Sequence, residues 1–175
     1  IFGYPGGSVL SIYNELLGSD IRHILVRHEQ CAAHMADGYA RAKNVPGVCL
    51  ATSGPGTTNL VTGIATAYAD SVPMIALTGQ VAAGSLGQGA FQEVDAYSLL
   101  MPITKHSYRV LDVNRLPHAI SEAWDICQMG RKGPVHIDMP VDQMGMELDP
   151  ALLHESYGVK PLTEDLSKVA EAARW

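Results

Sequence analysis

The chain alternates short apolar runs with longer amphipathic stretches. Ile1-Phe2-Gly3 reads as the end of a strand, and Ser8 to Leu17 then places Val9, Ile12, Tyr13, Leu16 and Leu17 at the three-and-four spacing of one helix face. His23-Ile24-Leu25-Val26 reads as a buried strand, followed by a small-residue helix from Gln30 to Ala42. Pro46 precedes the strand Val48-Cys49-Leu50-Ala51. The helix from Thr57 to Ala69 is rich in Ala and Gly, which lets it approach a sheet closely, and the strand Met74 to Thr78 comes after Pro73. Gly79 to Pro102 is less regular, with Gly84, Gly87 and Gly89 marking a mobile-looking loop. A strand near Ser107-Tyr108-Arg109-Val110, a helix from Leu116 to Gln128 and the strand Val135-His136-Ile137-Asp138 complete the pattern.

Apolar strands separated by helices predict an α/β fold, a doubly wound, mainly parallel sheet with helices on both faces. After Pro140 the texture turns polar, and Pro150, Gly158 and Pro161 read as a linker. The expected division is one domain over residues 1–142, truncated at its N-terminus, and a linker with the start of a further domain over 143–175. The stretch Leu166 to Trp175 stops inside an amphipathic pattern, so the chain reads as a fragment of something larger.

Composition narrows the partners. The chain has 175 residues, 47% hydrophobic content and a net charge of −6, enough for one α/β core and unsuited to general attraction toward nucleic acid or anionic lipid. No stretch reaches the roughly 20 apolar residues of a membrane span, and no signal peptide opens the chain, so a soluble, cytoplasmic protein is expected. Cys31, Cys49 and Cys127 are widely spaced in apolar contexts and read as reduced core residues.

In a doubly wound sheet the ligand lies beyond the carboxyl ends of the strands. The segments there are Tyr4-Pro5-Gly6-Gly7, Arg27-His28-Glu29, Thr52-Ser53-Gly54-Pro55-Gly56, Thr78-Gly79-Gln80 and Met139-Pro140. Glu29 is a charge set directly after an apolar strand, which makes it the first functional candidate. Several of these turns are rich in Gly and Pro, which let a backbone approach a ligand and fix the turn, although tight connections demanded by the fold would read alike. Gly54-Pro55-Gly56-Thr57-Thr58-Asn59 fits neither the dinucleotide fingerprint nor a phosphate-binding Walker loop, and Ser53 lacks the flanking glycines of a nucleophile elbow and reads as a helix-capping residue. His28 and His34 are six residues apart, roughly 120° out of alignment on a helix, so no metal site is expected. His106, His118 and His136 read as surface or satisfied core histidines.

Taken together, Ile1-Phe2-Gly3-Tyr4-Pro5-Gly6-Gly7, Arg27-His28-Glu29-Gln30, Ala36-Asp37-Gly38-Tyr39-Ala40-Arg41 and Ala51 to Leu60 resemble the pyrimidine-binding domain of thiamine diphosphate-dependent enzymes. The likeness continues through Asp70-Ser71-Val72-Pro73, Thr78-Gly79-Gln80, Ala90-Phe91-Gln92-Glu93, Thr104-Lys105-His106 and Gly130 to Val135, covering about residues 1–142. Within that superfamily the Gly-Tyr-Pro-Gly-Gly, Ala-Phe-Gln-Glu and Thr-Lys-His blocks are most similar to the acetolactate synthases, also called acetohydroxyacid synthases.

The resemblance implies a thiamine diphosphate-binding fold and a transferase that decarboxylates pyruvate and joins the remaining fragment to a second 2-oxo acid, in branched-chain amino acid biosynthesis or an acetoin route. Glu29 would be the catalytic carboxylate, hydrogen-bonding a ring nitrogen of the aminopyrimidine and favouring the tautomer that removes the thiazolium C2 proton. A partly desolvated carboxylate is suited to sharing a proton with so weak a base. Tyr4, Pro5, Gly6 and Gly7 would face the thiazolium, with the Gly7 backbone near the developing oxyanion. Thr52, Pro55, Gly56 and Asn59 would flank the pyrimidine, Phe91 and Gln92 would line the substrate side, and Lys105 the access channel. Arg131 matches an arginine that contacts FAD in the synthases; Lys132 stands where that block commonly has proline, and flavin-free synthases exist, so FAD stays open beside a plain exposed basic pair. Mg²⁺ and the diphosphate would be held by a Gly-Asp-Gly motif on another domain, a motif this sequence lacks. The resemblance further implies a homodimer or homotetramer with room for a regulatory subunit, and an isolated fragment without activity. The helix faces with Met35, Ala36 and Tyr39 and with Ala65, Tyr68 and Ala69 are the expected interface. Other thiamine diphosphate-dependent decarboxylases, oxidases or acetyltransferases, and a non-catalytic domain that keeps the fold, remain alternatives; glyoxylate carboligase, which lacks the carboxylate, does not fit.

Overall fold

The computed structural model describes residues 1–154; the proposed linker residues Gly158 and Pro161 and the amphipathic stretch from Leu166 lie outside them. Six parallel strands form one sheet: β1 (Phe2–Gly3), β2 (Ile24–Leu25), β3 (Gly47–Ala51), β4 (Met74–Gln80), β5 (His106–Arg109) and β6 (Pro134–Pro140), in the order β2-β1-β3-β4-β6-β5. Helices α1 (Leu10–Leu16) and α5 (Leu116–Ile126) lie on one face, and α2 (Glu29–Lys43), α3 (Pro55–Ala69) and α4 (Ala96–Leu100) on the other. The α/β doubly wound reading therefore holds.

The two faces follow from strand alternation. Cys49, Ala51, Met74 and Ala76 turn toward Ala32, Ala33, Ala36 and Ala40 of α2 and Leu60, Ile64 and Ala67 of α3. Ile75, Val135, Ile137 and Met139 turn toward Ala119, Ala123 and Cys127 at α5. The α2–α3 layer is thin because its contacts are small: a Cβ on Gly63 would collide with Ala33, and one on Gly47 with the backbone of Ala36. At the far ends of these helices Arg41 bridges Asp37 at 2.8 Å and Asp70 at 2.6 Å, which gives the Asp37-to-Arg41 block a structural role.

Several local expectations change. The run His23 to Val26 is an edge strand, so Leu25 is 56% exposed and only Val26 is buried. Leu17, placed on the buried face of the first helix, is 88% exposed because α1 ends at Leu16. Strand β4 continues to Gln80 and β6 to Pro140, so Gly79, Gln80, Met139 and Pro140 are paired strand residues instead of turns. The Gly79–Pro102 segment is tied to itself: the Glu93 carboxylate accepts from the backbone amides of Gly87 and Ala90, and the Gln88 amide donates to Gly84 O. Cys31 is exposed, whereas Cys49 and Cys127 are buried; all three are free. Ala36 is fully buried in the core and is removed from the interface expectation; Met35, Tyr39, Tyr68 and Ala69 are exposed.

One chain of polar side chains runs through the sheet. Thr78 Oγ1 donates to Asp138 Oδ1 at 2.8 Å and lies 2.8 Å from His136 Nε2, while Ser107 Oγ lies 2.8 Å from His136 Nδ1. With the Thr78 proton given to a carboxylate, His136 must donate from Nε2 and accept at Nδ1 from Ser107, a neutral imidazole. His136 is thus the satisfied core histidine of the two alternatives. Burial pushes its pKa from 6.5 down to about 3, with the Arg109 charge adding to the effect.

Two outcomes follow from this packing. Gly63→Ala should cost about 1–3 kcal/mol in chemical denaturation by overpacking α2 against α3, whereas Gly38→Ala, at an open helix-interior position, should gain roughly 0.5–1 kcal/mol. The acid limb of stability should carry His136. The unfolded chain takes up a proton below about pH 6.5 and the folded chain does not, so stability should fall by up to about 1.4 kcal/mol per pH unit from this site as pH drops toward 3. Burial raises the Asp138 pKa, which acts with the opposite sign from 3.8 upward, inside the His136 window. Denaturation midpoints followed between about pH 7 and pH 5 check this, because His136→Gln should flatten the slope.

Candidate functional site

Strand β1 sits where the sheet order reverses: the chain leaves it toward β2 on one side, and β3 lies on the other. In such a sheet the crevice opens beyond the carboxyl ends of the two central strands. The turn after β1 and the turn after β3 are sewn together there. Ser8 Oγ and Thr52 Oγ1 are 2.8 Å apart, Ser8 N donates to Thr52 Oγ1 at 3.3 Å, and Ser53 N donates to Ser8 Oγ at 2.9 Å. Thr52 also occupies the space of a side chain at Gly6, whose Cβ would come within 2.5 Å of it. Only the absence of a side chain lets these two turns touch.

Glu29 opens α2 directly after β2. His28 caps that helix by accepting from Gln30 N at 3.1 Å, which turns the chain sharply and delivers Glu29 to the first helical turn, half-buried. The first turn of α3 approaches from the other side. Its cap is Gly54, at φ +58°, with no side-chain cap, so Ser53 is not the capping residue expected from its position; its amide is engaged with Ser8. Pro55 takes the first helical position, and one turn later Asn59 Nδ2 donates to Glu29 Oε2 at 2.9 Å. A Cβ on Gly56 would stand 3.6 Å from Oε1, so the glycine leaves that side of the carboxylate open.

The structure thus brings together Glu29, Asn59, Gly56, Pro55, Thr52 and the Tyr4-Pro5-Gly6-Gly7 turn. Tyr4, Pro5 and Gly7 are exposed at its rim. Gln92 joins them from another segment: at φ +57° its carbonyl lies within 2.5 Å of where a Gly54 Cβ would stand. Its neighbour Phe91 is 88% exposed.

Two expected site residues stand at the other end of the sheet. Lys105 precedes β5, its amide donating to Pro134 O at 2.7 Å, and its ammonium donates to the carbonyls of Ile126 and Met129 at the end of α5. Within this chain it therefore anchors a helix terminus, and it does not meet Glu29. Arg131 Nε donates to Ser71 Oγ at 2.8 Å, its Nη2 to Tyr68 O and Ala69 O, and its guanidinium lies over the Tyr68 ring. Lys132 donates to Asn44 Oδ1 at 3.0 Å. His28 and His34 do not converge, and among the described residues no group of three or more His, Cys, Asp and Glu side chains stands together as a metal site. Nor is any helix there long and apolar enough to cross a membrane.

Residues outside the sequence motifs also belong here. Tyr13 reaches from α1 to lie against Gly3, where a Cβ would be 2.7 Å from its hydroxyl, and that hydroxyl is 3.2 Å from His23 Nε2. Burial pushes the Tyr13 pKa up to about 12, with the Glu29 charge adding to the effect. Its place in an amphipathic helix concealed it. Ser8 was hidden by the 44 residues separating it from Thr52, which only β1–β3 pairing closes.

The chain matches over residues 1–99 the family described as thiamine pyrophosphate enzyme, N-terminal TPP binding domain. It is 58% identical over 149 residues to a probable acetolactate synthase large subunit of Methanocaldococcus jannaschii, covering 85% of this chain and 25% of that protein. Likewise it is 56% identical over 153 residues to an acetolactate synthase of Arthrospira platensis, with 85% and 26% covered. An acetolactate synthase large subunit of Corynebacterium glutamicum is 54% identical over 150 residues, with 85% and 24% covered. The chain spans about a quarter of the length of these relatives. With glycine-bearing turns meeting at the sheet's switch point and a family match across more than half its length, the chain belongs to the thiamine pyrophosphate enzymes, as an N-terminal TPP-binding domain.

Proposed function

We propose that this chain is the cofactor-activating part of an acetolactate synthase large subunit, with Glu29 as its catalytic carboxylate. The Glu29–Asn59 hydrogen bond beside Gly56 carries the reading. It fixes one carboxylate oxygen and leaves the other facing a glycine, Gly56, where no side chain stands. A flat, weakly basic heterocycle fits such a place, with Glu29 against a ring nitrogen and Thr52, Pro55, Gly56 and Asn59 around it. Tyr4, Pro5, Gly6 and Gly7 then border the reacting end, and Gln92 closes the edge above Gly54.

When bound, thiamine diphosphate supplies the acidic carbon that adds to a 2-oxo acid and holds the charge left as carbon dioxide departs. The chain's part is to hold and orient. Asn59 keeps the Glu29 carboxylate from rotating, the carboxylate would hold or release a proton toward a ring nitrogen of the bound cofactor, and the Ser8–Thr52 pair keeps the two turns at fixed separation. Residues 1–142 form the pyrimidine-binding domain in this reading and 143–175 lead toward the next. Diphosphate and Mg²⁺ are assigned to another domain, since the Gly-Asp-Gly motif does not occur here. Assembly as a homodimer or homotetramer in the cytoplasm belongs to the same proposal, and so does a regulatory subunit, the one part that the relatives' large-subunit names support. Arg131 gives no comparable support for FAD, because its Nε and Nη2 donors are spent on Ser71 and the end of α3.

In the full-length protein, Glu29→Gln should bind thiamine diphosphate within about threefold of wild type yet lose at least about a hundredfold in hydrogen–deuterium exchange at the cofactor C2. Exchange at the wild-type rate would remove Glu29 from its role. Formation of acetolactate from pyruvate, as opposed to acetaldehyde or acetyl phosphate, tests the reaction assigned.

A further inference from the structure

The segment from Val81 to Asp95 carries Phe91 and Gln92 to the edge of the crevice, and Gln92 holds a left-handed conformation that a non-glycine residue adopts only when its surroundings enforce it. The Ala90–Glu93 turn that holds it is closed locally, Glu93 N donating to Ala90 O at 3.0 Å, and the sheet fixes where that turn stands. Gln80, the last residue of β4, is completely buried. Its Nε2 donates to Asp138 Oδ2 at 3.1 Å and to Val94 O at 2.8 Å, and its Oε1 accepts from Val81 N at 2.9 Å. A second arm leaves the same carboxylate: Arg109 Nε lies 3.6 Å from Asp138 Oδ2 while its Nη2 pairs with Asp95. Further along β6's exit, Asp142 Oδ1 accepts from Ala83 N at 2.9 Å and holds the segment's other end. The buried carboxylate thus fastens Val94 through the Gln80 amide, two residues beyond the turn that meets Gly54, while Arg109 adds only ion pairs, its Nε hydrogen-bonded to neither Asp138 nor Asp95.

We propose that Gln80 is a positioning residue: with Asp138 behind it, it sets where the Phe91–Gln92 turn stands over Gly54 and thereby how the crevice receives a 2-oxo acid. This rests on the functional reading given above. The amide is suited to the task because it donates twice from one nitrogen, once inward to a fixed acceptor and once outward to the loop, so the loop inherits the register of β4 and β6. Phe91, held outward by the turn, is the large apolar side chain that this register places. A hydrophobic residue at position 80 would fill the same volume and release the loop while stranding Asp138.

The test uses the full-length protein with Gln80→Leu and, should that variant fail to fold, Gln80→Asn, an amide one methylene too short to reach both Asp138 and Val94 O. Amide exchange across residues 87–95 should rise at least about tenfold while β4 and β6 keep their protection. KM for pyruvate should rise at least about fivefold, with kcat within about threefold and thiamine diphosphate affinity within about twofold of wild type. Unaltered loop protection, or a loosened loop with unaltered KM, overturns the assignment. A wild-type protein that exchanges no C2 proton would instead sink the functional reading beneath it, and the two failures are told apart by the wild-type control.

Discussion

The distance at which α2 and α3 cross governs the carboxyl edge of this fold. Nothing larger than a methyl group separates them at Gly63 and Ala33, and Gly47 lets β3 lie against the backbone of Ala36. A helix pair spaced by Leu or Phe side chains would stand several ångströms wider. At that separation Asn59 could not donate to Glu29, because an asparagine amide and a glutamate carboxylate span the present gap with a 2.9 Å hydrogen bond. The Ala-rich composition of both helices is therefore part of the site as much as of the core, since it trades hydrophobic area for the proximity of two polar groups.

How much of this was legible beforehand depended on range along the chain. Glu29 could be singled out because a charge directly after an apolar run is a local anomaly, and the glycines at 54 and 56 are local too. The strands were recognisable from their apolar runs, but β2 was mistaken for a buried strand, since its composition does not say that the sheet ends there. Ser53 looked like a cap for the same reason. What assigns that function to Gly54 is the left-handed backbone and the diversion of the Ser53 amide to Ser8, a residue 45 positions away. Lys105 and Arg131 came forward through resemblance alone, and geometry within one chain sends both to the opposite end of the sheet.

That opposite end has its own logic. Parallel strands force every helix to finish near the amino edge, where its last carbonyls lack partners. Lys105 satisfies those of α5 and Arg131 those of α3, and both lie just before the strands that start there. Cations at helix carboxyl termini also oppose the helix dipole. Lys105 and Arg131 are thus drawn to this edge for structural reasons, while the carboxylate at position 29 and the amino end of α3, capped by Gly54 without a side chain, meet at the other.

The polar chain from Ser107 to Asp138 joins the two concerns. A row of Thr78, His136 and Asp138 in the middle of an otherwise apolar sheet loses hydrophobic stabilisation and is tolerable only because each group is satisfied in one arrangement of protons. Apolar residues of equal size would pack as well and impose no direction. What the polar row adds is a fixed acceptor at the carboxyl end of β6, and two side chains from neighbouring strands, Gln80 and Arg109, orient on it. Through them a loop with few apolar anchors of its own is placed by the buried strands of the sheet, so an exposed phenylalanine and the turn that carries it stand beside Gly54 without being buried.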